Sequence, residues 1–261
     1  MKRMLGAAAV AALMTAMPAQ AAQLVITMTG NSATSGTDGN SRIYTKTANG
    51  STVNVRATGW SYDGSTVRDS FLGSYGGGLG VTSGDETGSG NTHVIDNQNR
   101  IDFVLLQFDQ VVRLTAATFN GFSFGGVTDT DASIAWGGSA TPWNMGLALD
   151  NQSGSALAAM FSGSALSLGG ANGGNRPLNL GDSAAGNLWL IGAAFTNADR
   201  RIDGFKLGNV TVNTVSPVPE PSTWAMMLAG FALVGVAIRR AIRSSEQRFT
   251  DKVRRIALSG G

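Results

Sequence analysis

Few side chains in this chain could do chemistry, and most of those are carboxylates. His93 is the sole histidine, and there is no cysteine. Asp96, three positions on, would give His93 the orienting carboxylate of a Ser-His-Asp arrangement. No G-x-S-x-G turn accompanies it, and a general base acts only where its partners are placed, so a loop histidine capping a turn is the plainer expectation. One histidine and no cysteine also leave the usual zinc ligands short. Carboxylates suit a harder ion. Asp129 and Asp131 in VTDTDAS, with Asp85 and Glu86 in SGDETGS, lie on loop-like stretches. Calcium takes about six to eight oxygens from such loops. The full D-x-D-x-D-G spacing is missing, so solvated turn aspartates explain the same residues, and a bound calcium would brace loops and take no part in catalysis. Asp199 and Asp203 would serve a glycosidase only at a set separation in space, which spacing along a chain does not give. Trp136 and Trp143 flank the loop-like GGSATP, where exposed aromatic faces would stack on sugars; packing at the rim of a core is the competing expectation. Trp189 sits in an apolar strand and reads as core.

The elements that must hold these residues read as strands. QLVITMT (23–29), RIYTKT (42–47), STVNVRAT (51–58), IDFVLLQFD (101–109), VVRLTAATFNGFSF (111–124), NLWLIGAAF (187–195) and GFKLGNVTVNTV (204–215) are rich in Val, Ile, Thr and aromatics. Several alternate with period two, as Val53 and Val55 do against Asn54 and Arg56. Clusters such as TSGTDGN, SYGGG and GGANGGN separate them as turns. Only 155–161 would make a helical turn or two, and it serves equally as a strand. The 36 glycines follow no G-X-Y period, which excludes collagen, and 43% hydrophobic residues exclude wholesale disorder. The expected fold is all-β: one antiparallel β-sandwich, jelly-roll-like, over residues 22–215.

The charge is uneven. The whole chain has a sequence pI near 9.2, yet residues 22–218 hold 10 Lys/Arg against 14 Asp/Glu, a net charge of −4. A nucleic-acid footprint needs a basic patch on the folded part, and here the basic residues lie at the ends. At the start, Lys2 and Arg3 precede an apolar stretch from Met4 to Met17, then Pro18 and Ala19-Gln20-Ala21. This is a secretory signal peptide over 1–21, with Ala19 and Ala21 at the positions that signal peptidase reads and Ala22 first after the cut. At the other end, Pro219 and Pro221 bracket Glu220 and predict extended backbone. Residues 222–238 then carry no charge, and 17 positions sit at the short end of what spans a bilayer as a helix. Arg239 and Arg240 follow at once and would stay in the cytoplasm, as would a basic tail over 241–261.

Val-Pro-Glu-Pro, then Trp224-Ala225, an apolar helix and an arginine pair resembles a PEP-CTERM sorting signal of the PEPxxWA variant, here over 216–240. The resemblance implies a Gram-negative host and recognition of Pro219, Glu220 and Pro221 by the membrane protease exosortase. It also implies a transient stay in the inner membrane and release to the cell surface or outside, in hosts that make polysaccharide and biofilm. Such signals end within a few residues of the arginines, whereas this chain continues for 21 more. HVIDNQNRIDFVLLQFDQVVRLTAATFNGFSF followed by DTDASIAWGG is loosely similar to ectodomains found upstream of this signal, which carry no assigned chemistry. The expected protein is a non-enzymatic surface or matrix component acting by adhesion or weak glycan contact, with Trp136 and Trp143 as the candidate contacts and no cofactor beyond the calcium option. The alternatives are a secreted polysaccharide-active enzyme and an ice- or glycan-binding module; ice binding would need a flat, regular Thr face.

Overall fold

The computed structural model describes residues 22–30, 36–87, 90, 92–169, 173–215 and 221–259. The signal segment, with Ala19 and Ala21, lies outside them, as do Pro219 and Glu220. Two units are distinct, a β body over 21–215 and a C-terminal segment.

The body opens with β1 (Gln23–Thr27), β2 (Ser41–Ala48), β3 (Ser51–Tyr62), β4 (Val67–Tyr75) and β5 (Gly78–Thr82). Next come β6 (Ile95–Asp96), the long β7 (Ile101–Gly121), the small hairpin of β8 (Ser123–Phe124) and β9 (Val127–Thr128), and β10 (Ala132–Gly137). After a short α1 (Gly154–Ala158) follow β11 (Phe161–Ser167), β12 (Gly174–Pro177), β13 (Gly186–Ala193) and β14 (Gly204–Thr214). All the pairings are antiparallel.

The expected sandwich gives way to a barrel. Strands β14, β5, β4, β3 and β7 form a closed five-strand ring, because β7 bonds β3 through its first half and β14 through its second. The two strands expected at 101–109 and 111–124 are one bent strand shared by both halves of the sheet, so no pair of separate sheets arises. The bend falls at Asp109–Val111, where the buried run 102–108 gives way to exposed and half-buried positions: pairing to β3 stops at Phe108 and pairing to β14 starts at Val112. Asn54 fastens it, donating its backbone N–H (3.1 Å) and side-chain amide (2.6 Å) to the Asp109 carboxylate. Beyond the ring, β13, β10 and β11 extend the sheet from β7, β1 lines the outer edge of β14, and β2 lines β3.

The first half of β7 is apolar on both faces because both are covered. Val104, Leu106 and Phe108 join the main core with Val53, Val55, Trp189, Val210 and Val212. Phe103 and Leu105 face a second core with Trp60, Val67, Leu149, Leu157 and Leu190, roofed by α1 and the chain leading to it. In the main core Phe119 meets Phe205 edge-on at 4.8 Å, the arrangement that ring quadrupoles favour. The stretch 155–161 divides: a five-residue helix capped by the Ser153 hydroxyl, then the start of β11.

The C-terminal unit holds α2 (Pro221–Ser259), one helix of 39 residues. Extended backbone was expected through Pro221. Instead Pro221 is the first helical residue, where its missing N–H is no loss and its fixed φ already fits. The helix does not stop at the arginines but runs on through the tail. Among the described residues, no helix is long and apolar enough to cross a membrane. The expected span at 222–238 is thus corrected to the apolar first half of a longer helix whose second half is charged.

Candidate functional site

Carboxylates gather at one end of the barrel, where the chain passes between β6, the loop 129–131 and the start of β14. Asp203 directly precedes β14 and is 1% exposed. Its Oδ2 accepts from the Asn97 side chain at 2.6 Å and from the Ala194 N–H at 3.2 Å, while Asn97 Oδ1 accepts the Asp203 N–H at 2.9 Å. Its Oδ1 has no partner among the described residues. Asp129 and Asp131 join it, each of the three offering an oxygen within 4.8 Å of the others. Burial first, then the Asp129 and Asp131 charges, push the Asp203 carboxyl up to about 7. Asp129 is raised by burial first and by the Asp131 charge second. The loop that carries them is braced. Arg176 donates to the Thr130 hydroxyl at 2.6 Å and to its carbonyl at 3.1 Å, with its guanidinium 4.5 Å above the Phe119 ring. The Gly169 N–H holds Asp131 at 2.6 Å.

Asp129 and Asp131, the calcium candidates set against solvated turn aspartates, are therefore brought together, and Asp203 is the member that spacing alone did not connect to them. Three carboxylates at this separation offer what a hard divalent cation takes. Asp85 and Glu86 do not join this set. They lie across the β6–β14 junction, where Glu86 meets Asp96 and Asp102. Asp203 is turned inward, whereas exposed Asp199 accepts the Arg201 N–H at 3.0 Å and reaches the cluster through Asp129.

His93 packs edge-on to Tyr75 (4.9 Å) and Phe122 (6.5 Å), and its Nδ1 lacks a partner among the described residues. No carboxylate orients that nitrogen, as a triad would require. Burial first and the Lys206 charge second lower its pKa, which favours neutral imidazole. Trp136 belongs to strand β10, half-buried on the main core and 6.0 Å from the Trp189 ring. Trp143 is half-buried in the following loop. Neither lines the cleft of about 640 Å³ that opens over β10 and β11. That cleft is floored by Tyr62, Phe161 and Phe195, with Ser133, Ser164 and Thr196 among its hydroxyls, and none of its described lining residues is acidic. Tyr62 and Phe195 stack at 6.1 Å, giving it an aromatic wall.

On α2, Met226, Leu228, Phe231, Leu233, Val234, Val236 and Ile238 are all exposed. At 100° per residue they leave no polar face between residue 226 and the Arg239-Arg240 pair. An apolar helix of this kind, preceded by Pro-Glu-Pro and followed by arginines, has the order of a sorting signal. The family model described as the PEP-CTERM protein-sorting motif matches residues 217–241. The chain carries a PEP-CTERM sorting motif. That motif marks an exported protein which passes the membrane and reaches the surface, and it implies exosortase as the processing partner. No curated protein and no solved structure matches the chain.

Proposed function

We propose that this is an exosortase-sorted protein whose β body acts, without catalysis, at the cell surface or in the extracellular polysaccharide matrix. The PEP-CTERM motif at 217–241 is the observation that carries this reading. In the precursor of a Gram-negative host, signal peptidase would cut after Ala21. Ala22 would then begin the mature chain, and it is already tied into the body: its N–H donates to the Thr214 hydroxyl at 3.0 Å. Exosortase would then act at Pro219-Glu220-Pro221 at the inner membrane and release the body.

A non-enzymatic role is favoured by where the acids are. A glycosidase needs a carboxylate pair in the groove that takes the sugar. Here the cleft is aromatic and hydroxyl-lined, while the gathered carboxylates are inside the barrel end. Tyr62, Phe161 and Phe195 would stack on a polysaccharide, the role first expected of Trp136 and Trp143.

Intact mass and fractionation of the native protein, beside a Glu220→Ala variant, test the sorting. The wild type is expected outside the cell without the segment beyond the motif, and the variant in the membrane at full C-terminal length. If both keep their C-termini in the inner membrane, exosortase sorting is wrong.

A further inference from the structure

Asp96 and Asp102 are 2% and 1% exposed, the second at the start of the bent strand β7. Both Asp102 oxygens and Oδ2 of Asp96 have no hydrogen-bond partner among the described residues. Groups of this kind are rarely left so, because an unpaired buried carboxylate costs several kcal/mol. They do not point into an apolar void. Glu86, half-buried on the loop after β5, completes a triad in which each carboxylate places an oxygen within 4.8 Å of the others. Oxygens bound to one calcium ion at about 2.4 Å cannot lie more than about 4.8 Å apart, so the three fit around a single ion.

The scaffold holds these oxygens open. Gln98 N–H donates to the other Asp96 oxygen at 2.9 Å, and Ser83 N–H donates to Glu86 Oε2 at 2.8 Å. Those bonds set the orientation of both side chains and leave Asp96 Oδ2 without a partner among the described residues. Asp96 is fixed by its pairing to Gly204 on β14, and Asp102 by its pairing to Ser61 on β3. The nearby guanidinium does not neutralise the triad: Arg100 pairs with Asp85 at 3.2 Å, on the half-exposed rim. Asp85, Glu86, Asp96 and Asp102 against Arg100 leave three excess negative charges when all are ionised.

We propose that Glu86, Asp96 and Asp102 form a calcium-class divalent-cation site that ties the loop after β5 to β6 and to the start of β7. Carboxylate oxygens from a loop and two strands make an irregular set, which suits calcium better than magnesium, an ion that demands a near-ideal octahedron and keeps its waters. The half-buried Glu86 and the rim Asp85 give the ion a way in from solvent. The rival explanation is a proton: Asp102 held as a neutral acid would also relieve the repulsion. A cation and a proton make opposite predictions for an amide at this position.

The test uses the full chain in detergent micelles, stripped with chelator, and calcium chloride as the probe. Calcium is expected to raise the melting temperature with a midpoint of about 10⁻⁴–10⁻³ M, the range of extracellular modules. Magnesium at the same concentrations is expected to do so markedly less. In Asp102→Asn, equilibrium dialysis is expected to show one calcium fewer per chain, while the melting temperature without calcium rises because a buried charge is gone. Glu86→Gln, which changes a half-exposed side chain and leaves the fold intact, is expected to raise the midpoint at least about tenfold. No calcium shift in the wild type would overturn the proposal, leaving the proton as the answer. Unchanged stoichiometry and midpoint in both variants would overturn it too, and would move the bound ion elsewhere.

Discussion

Lys206 lies in β14 between Phe205 and Leu207 and is only 4% exposed. Its ammonium stands 3.8 Å above the Tyr75 ring and 4.9 Å from that of Phe122, and it makes no ion pair among the described residues. Burial lowers its pKa from 10.5 to about 8. At about 1.4 kcal/mol per pK unit, that difference makes the charged form roughly 3 kcal/mol worse in the folded chain than in the unfolded one. Water reaching the ammonium would cut the figure to about half. The unfolded state binds more protons between about pH 8 and 10.5, so stability rises with pH across that window and is lost again as pH falls toward 8. Tyr44 and Tyr75, whose hydroxyls burial pushes up, oppose this rise, but only as pH nears about 10, where the unfolded phenols begin to ionise. From about pH 7.5 to about pH 9.8 the gain should be roughly 1–2 kcal/mol, or about 3–6 °C in melting temperature for a domain of this size. Lys206→Met keeps the stem and removes the charge. Near-ultraviolet circular dichroism melts of the full chain in micelles are expected to show the rise in the wild type and a flat profile in the variant. A flat wild type, or a variant that rises as steeply, would refute the placement of this ammonium between two rings.

Two further substitutions probe the frame around the acidic end and the sheet extension. Asn97→Ala removes both side-chain bonds to Asp203 and the 3.3 Å bond to the Ala194 carbonyl. It leaves the buried Asp203 carboxylate with the Ala194 N–H at 3.2 Å as its remaining donor among the described residues, so urea unfolding should show a loss of about 1–3 kcal/mol. At Gly137 a Cβ would sit 2.1 Å from the Met160 carbonyl oxygen and 2.8 Å from Phe161 Cα, at the bulge where β10 pairs with β11. Gly137→Ala must therefore push the two strand backbones apart, and it should lower the melting temperature far more than Gly64→Ala. Gly64 has φ +92 but nothing within 4 Å of its Cβ position, so the cost there is strain alone. Equal losses would contradict the close approach at β10.

The strands legible in the sequence are those that bury one clean face or both. β3 shows its alternation at Val53, Val55 and Ala57, and β7 shows a solid run from Phe103 to Phe108 because two cores meet it. β4 and β5 escaped for the opposite reason. VRDSFLGSY and GLGVT are built largely from small and polar residues, yet most of their side chains are buried. Inside a narrow ring there is little space: a Cβ on Gly80 would meet the His93 carbonyl oxygen at 2.0 Å, and one on Gly78 the Leu207 carbonyl oxygen at 2.2 Å. Glycine there reads as a turn residue in sequence but serves close packing in the fold. Closure itself was not legible, because it depends on one strand bending at Asp109–Val111 to find a second partner more than ninety residues away along the chain.

The same contrast separates the two kinds of site. A sorting signal is read by another protein as a stretch of chain, so its elements must be contiguous, and Pro219, Glu220, Pro221, Trp224 and the arginines are recognisable in order. A cation site is read by geometry, and its ligands are spread over the chain. Asp129 and Asp131 were visible as neighbours, but Asp203 reaches them only because β14 begins beside that loop. One local sign did exist. The dipeptide Ile-Asp occurs at 95–96, 101–102 and 202–203, forming β6, opening β7 and directly preceding β14, and each of these aspartates is at most 2% exposed. A buried carboxylate repeatedly placed where a strand begins costs stability unless something compensates it. Three such strand starts meeting at one end of a barrel therefore predict compensation there by a bound ion or by protons, and the Asp102→Asn and calcium measurements decide between the two.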